Sequence, residues 1–146
     1  TDRSRGLGDV YKRQGLDVYV NGSFLNAYEG DGIIISTPTG STGYNLSAGG
    51  PIVDPMARLM IITPVCPHSL TSKSIVLPSD AKVSIEIAKK RKTQDTEAIV
   101  SFDGGNDFEL AAGDVLDICV SQRTTQLVKA SDVNFYEILR NKLGGK

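Results

Sequence analysis

From Leu16 onward, apolar and polar residues alternate in short runs, the two-residue period of half-buried strands. Leu16 to Gly30 alternates on both sides of Asn21-Gly22. That dipeptide between alternating runs predicts a β-hairpin, because both turn positions must tolerate positive φ. Gly32 to Ser36 reads as a buried strand, and Arg58 to Pro64 as another that proline stops. Ser74 to Leu77, before Pro78, is a short strand, and Lys82 to Ile87 alternates cleanly. Ala98 to Phe102 ends at the turn Asp103-Gly104-Gly105-Asn106, and Asp107 to Leu110 and Val115 to Val120 flank the tight connection AAGD. Leu127 to Ala130 is a last short strand. Two stretches have helical character. Ser41 to Ala48 is followed by the stop Gly49-Gly50-Pro51, and Asn134 to Leu143 places Phe135, Ile138, Leu139 and Leu143 on one face. Ser131 or Asp132 is the expected cap of the second helix and Gly144-Gly145 its end. Short strands with frequent turn signals predict a mainly β fold, a sandwich or barrel.

The first fourteen residues break this pattern. TDRSRGLGDVYKRQ is charged, follows neither period and changes abruptly at Leu16. It reads as a disordered lead or a translated cloning or sequencing artefact, so residues 1–14 are set outside the fold and 15–146 form the domain. The alternative is a genuine edge strand or loop. Residues 88–97, AKKRKTQDTE, read as a solvated charged tip between strands. The 146 residues suit one domain, and neither an internal repeat nor a linker divides them. With 16 basic and 17 acidic side chains, net charge is −1, which implies neither nucleic acid nor an anionic membrane as partner. No apolar stretch is long enough to span a bilayer. Cys66 and Cys119 are far apart and outside any CxxC, so they are expected to be small buried thiols in a reducing compartment. His68 is the only histidine. That rules out a histidine-rich metal site and leaves His68, in a turn, with a structural role.

Candidate chemistry concentrates in STPTGSTGYNLSAGGP, Ser36 to Pro51. A strand that ends in a hydroxyl- and glycine-rich loop and enters a helix presents free backbone N–H groups to a phosphate or another electron-rich group. Thr39, Ser41 and Thr42 both donate and accept hydrogen bonds, Gly40 and Gly43 allow close approach to the main chain, and Tyr44 offers a flat ring with a hydroxyl. Asp31, just before the strand, can accept from a ribose diol. The same residues equally suit a helix cap and stop, so the residues alone leave both readings open. Neither a GxxxxGK[ST] phosphate loop nor a GxGxxG dinucleotide fingerprint is present.

The segment DGIIISTPTGSTGYNLSAGGPIV, Asp31 to Val53, resembles the C-terminal signature of the NAD kinase family. So do TPVCPHSLTSKSIVLP at Thr63 to Pro78, SFDGG at Ser101 to Gly105, FYEILRNKLGG at the C-terminal end, and the hairpin LDVYVNGSFL ahead of the signature. The resemblance implies a mainly β, sandwich-like C-terminal domain, with one short helix after the signature loop and a C-terminal helix. It implies phosphorylation of the 2′-hydroxyl of the adenosine ribose of NAD by ATP, or in some members polyphosphate, to give NADP, assisted by a divalent metal, usually Mg²⁺. It places Asp31 near a ribose of NAD and Thr39 near the adenine. Thr42, Gly43, Tyr44, Asn45, Leu46 and Ser47 then line the adenosine side of the pocket. It also implies a cytoplasmic homo-oligomer, dimer or tetramer, with the Asp103 turn near a neighbouring subunit's NAD site.

The sequence departs from the family pattern in places. Gly43 stands for the usual alanine, Gly105 for a frequent glutamine, Asp54 for His or Thr, and Glu29 for a basic or polar residue. The GGDGT motif and the Asn-Glu pair of the family's N-terminal portion do not occur. No residue is therefore assigned a catalytic or metal-binding role, and the chain is expected to be a C-terminal fragment that is inactive alone. Two other readings are a non-catalytic NAD-binding or regulatory module, and a lipid-kinase C-terminal domain of related architecture. The long STPTGSTxYN segment argues against the lipid kinases.

Overall fold

The computed structural model describes residues 3–7, 14–69, 72–88, 98–126 and 131–144. The hairpin forms where expected. Strand β2 (Gln14–Val20) turns through Asn21 and Gly22, at φ 50° and 83°, into β3 (Ser23–Gly30). Both turn residues take the left-handed conformation that this tight turn demands. The register shifts between Val18 and Tyr19, a bulge that re-aims the end of the hairpin.

Two antiparallel sheets are built on this start. The first runs β6-β5-β4-β1-β8-β9, with β1 Arg3–Leu7, β4 Gly32–Ser36, β5 Leu59–Val65, β6 Ile75–Pro78, β8 Ala98–Phe102 and β9 Asp107–Leu110. The second runs β10-β7-β2-β3, with β7 Val83–Ile87 and β10 Val115–Ile118. One apolar cluster draws on both sheets. Ile33, Ile35, Met60, Ile62 and Ala98 come from the first, and Leu16, Val18, Tyr28, Val83, Ile85 and Ile87 from the second. The alternation in β4 and β5 therefore divides two buried faces. Ile33, Ile35, Met60 and Ile62 join the shared core, while Ile34, Ile61 and Thr63 are buried on the reverse face.

Arg3–Leu7, inside the stretch read as a lead, pairs with β4 on one side and β8 on the other. Backbone hydrogen bonding asks little of side-chain identity, so two open strand edges accept a polar segment. Pro64 does not stop its strand, since β5 continues to Val65 and ends where Cys66 takes φ 45°. The connection AAGD is tight, as expected, and carries the chain from one sheet to the other. Cys66 and Cys119 are both exposed, because each lies just past a strand end. The second helix, α2 (Phe135–Lys142), is capped by Asn134, whose Oδ1 accepts from the Glu137 N–H at 2.9 Å, and not by Ser131 or Asp132. The expected strand Leu127–Ala130 and residues 89–97 of the charged tip lie outside the described residues.

Candidate functional site

The hydroxyl-rich loop leaves β4 and covers the reverse face of the first sheet. It forms a 3-10 turn, Thr39–Thr42, then a single α-helical turn, α1 (Tyr44–Ser47), broken at Gly43. The sequence suggested one continuous helix from Ser41. Instead Gly43 takes φ −89° and ψ −132°, far from helical values, and separates the two turns. With neither piece longer than a turn, no helix dipole of consequence acts here, and recognition falls to side chains and local N–H groups.

A buried polar lattice holds the loop down. Ser41 and Asn45 are wholly buried. Asn45 Nδ2 donates to the Ser41 carbonyl at 3.0 Å and to the Pro51 carbonyl at 2.9 Å, and its Oδ1 accepts from Thr63 Oγ1 at 2.6 Å. Thr63 Oγ1 in turn pairs with Ser74 Oγ at 3.0 Å. Ser41 Oγ donates to the Pro38 carbonyl at 2.6 Å and accepts from the Val53 N–H at 2.9 Å. The glycine at position 50 serves this lattice, because a Cβ there would overlap the Asn45 amide. Ser36, at the end of β4, is buried with its Oγ unpaired. Asn45 therefore faces inward with its amide fully engaged, and it shapes the site from beneath.

The outer residues of the loop face a cavity of about 220 Å³, lined by Pro38, Thr39 and Thr42 from the loop, Pro55, and Phe135, Ile138, Leu139 and Lys142 from α2. Thr39 is exposed and Thr42 half-buried. Two hydroxyl groups, apolar walls and one cation thus surround a space suited to a flat polar ring. Tyr136 Oη donates to Asp54 Oδ2 at 2.5 Å and ties α2 to the segment carrying Pro55. That bond, with the Met56 N–H on the same carboxylate, holds the Asp54 carboxyl below its usual range. It also pushes the Tyr136 phenol up, through the hydrogen bond first and the carboxylate charge second.

The candidate residues fall into three groups. Thr39 and Thr42 share the cavity, whereas Gly43, Tyr44, Leu46 and Ser47 are at least partly exposed and do not line it. Asp31 stands at the other end of β4, a strand of five residues, or about 16 Å away at the usual rise. Its N–H donates to the Val65 carbonyl at 3.0 Å, at the corner where the His68 N–H reaches the Glu29 carbonyl at 3.0 Å. Within one chain the fold does not bring Asp31 and the loop into one pocket. Pro55 and Lys142 went unnoticed in the sequence. The apolar period that marks α2 signals its inner face, but nothing local marks a lysine as facing a cavity. Among the described residues no three His, Cys, Asp or Glu side chains converge as a metal site, and no helix is long and apolar enough to cross a membrane.

Comparison with known proteins agrees with this architecture. The NAD kinase of Lachnoclostridium phytofermentans is 50% identical over 132 residues, covering 90% of this chain and 46% of that protein. The NAD kinase of Agathobacter rectalis is 53% identical over 129 residues, covering 88% and 46%. The chain thus spans about half the length of the curated relatives it matches. Among solved structures, yeast NADH kinase complexed with NADH superposes with a TM-score of 0.70 at 32% identity, covering 80% of this chain and 34% of that one. An NAD kinase from Archaeoglobus fulgidus in complex with ATP gives 0.71 at 29% identity, covering 83% and 45%. The profile of the ATP-NAD kinase C-terminal domain matches residues 5–130, and the chain belongs to that family.

Proposed function

We propose that this chain is the NAD-binding part of an NAD kinase, an enzyme that transfers the γ-phosphate of ATP to the 2′-hydroxyl of the adenosine ribose of NAD. The single supporting observation is the cavity in which Thr39 and Thr42 stand opposite apolar walls from Pro55 and α2. Hydroxyls read the polar edge of a base or sugar, and the apolar walls take its faces. In this reading the adenosine lies over the loop, with Gly43, Tyr44, Leu46 and Ser47 on its outer rim and Asn45 fixing the rim from below. Asp31, at the far end of β4, meets a ribose diol further along the extended dinucleotide. The divalent cation of the reaction, Mg²⁺ by resemblance, has no ligand set among the described residues. The working enzyme in this reading is a cytoplasmic homo-oligomer.

Isothermal titration of the full chain with NAD and with adenosine tests the reading. Both ligands are expected to bind. Thr42→Val should weaken both about three- to tenfold, the value of one neutral hydrogen bond. No binding of either, or an unchanged affinity in the variant, overturns the assignment.

A further inference from the structure

The wall that α2 gives to the loop cavity changes character along its length. Phe135, Ile138, Leu139 and Lys142 all line the space. Spaced three and four residues apart, they form one row on one face of the helix. The row begins apolar and ends in a cation about 10 Å further on, at the usual rise per residue. Lys142 is the only ionisable residue in the lining, which is otherwise Pro38, Thr39, Thr42 and Pro55. Arg140, the other cation of the last turn, lies about 200° round the helix from Lys142 and does not line the cavity. A last-turn lysine suits the helix dipole, but that accounts for Arg140 equally and not for a place in the cavity wall. Asp54, beside Pro55, is already engaged, because its carboxylate accepts from Tyr136 Oη and from the Met56 N–H at 2.9 Å. Among the described residues no carboxylate pairs with Lys142.

We infer that Lys142 is a specificity-determining residue of this cavity, which it makes prefer an adenosine whose ribose carries a phosphate over the bare nucleoside. The inference rests on the adenosine reading of the loop. A nucleotide has the same polarity as the wall. Its base offers flat apolar faces to Phe135, Ile138 and Leu139, and its phosphate takes charge-assisted hydrogen bonds from an ammonium. Lys142 is exposed, so water and salt screen it, and its effect is a preference of several-fold instead of an absolute requirement. One chemistry, a phosphate on the ribose, has two sources here. It is either the 5′ linkage of the dinucleotide or the 2′ ester that the proposed reaction creates.

Titration calorimetry of the full chain with adenosine, adenosine 5′-monophosphate and adenosine 2′-monophosphate tests it. At least one monophosphate should bind about three- to tenfold more tightly than adenosine in dilute salt, and the margin should shrink at about 0.5 M salt. The monophosphate that gains identifies the source. Lys142→Met, which keeps an unbranched stem, should erase the margin and leave adenosine binding as it was. Lys142→Arg should keep the margin, and so should Arg140→Met, which removes the same charge from another face of α2. Adenosine that binds as tightly as both monophosphates overturns the inference and leaves the adenosine reading standing. A margin that survives Lys142→Met, or that falls equally in Arg140→Met, overturns it too. Binding of none of the three overturns both.

Discussion

Asn45 holds three protein partners with one amide. Asn45→Ala leaves the Thr63 hydroxyl and the carbonyls of Ser41 and Pro51 short of partners in a buried place. A loss of about 3 kcal/mol is expected from such orphaned groups, read as a lowered urea midpoint. Gly50→Ala should destabilise by a comparable amount, because its Cβ meets that same amide. The two losses should not add. With Asn45 already trimmed, Gly50→Ala has little left to strike, and a double-mutant cycle should show strong positive coupling. Simple additivity would mean that the lattice does not connect these positions. At this scale the sequence was only partly legible. Residues 36–51 announced polar chemistry, but a run of Ser, Thr and Asn does not reveal which members turn inward. That division follows from the pleat of β5, which sets Thr63 under the loop, and from distant Ser74.

Between the elements, α2 hangs on the Tyr136–Asp54 hydrogen bond and on the apolar side it turns toward Pro38 and Pro55. None of its residues is fully buried, and Ile138 remains 48% exposed. Tyr136→Phe should leave the sheets unchanged and speed amide exchange across residues 135–142, with exchange unchanged if the bond is idle. The bond also sets a pH window. Asp54 titrates lower in the folded chain, so its contribution is present above the ordinary carboxylate pKa and disappears as pH falls through the depressed value. Tyr136 titrates higher, so its contribution is complete below the ordinary phenol pKa and disappears as pH rises through the raised value. Protection factors in α2, with the intrinsic pH dependence of amide exchange divided out, should therefore be highest between those limits and fall at both ends, and this profile should flatten in Tyr136→Phe. The hairpin, β4, β7 and β8 were readable from alternation and turn residues. The break at Gly43 was not, because helix propensity favours continuing from Ser41, and packing against Thr63 and Pro51 decides otherwise.

For the whole molecule, the loop and its cavity form one wall of the proposed nucleotide site. The chain spans about half of its curated relatives. Incubated with ATP, Mg²⁺ and NAD, the chain alone is expected to form no NADP. Turnover in a contaminant-free sample, followed by an NADP-specific dehydrogenase, would refute this. The two-sheet plan could be anticipated from short strands and turns, whereas strand order could not, since β1 joins edges more than sixty residues apart in sequence. One consequence of the buried lattice concerns redesign. The hydroxyls and amide that fix the loop's course are sealed within the protein, whereas Thr39, Gly43 and Ser47 lie outside it and are exposed. Libraries randomised at Thr39 and Ser47 should keep their melting behaviour while ligand preference drifts, whereas Gly43, at φ −89° and ψ −132°, should accept few other residues. Randomising Ser41, Asn45 or Thr63 should mostly return chains that never reach the folded state.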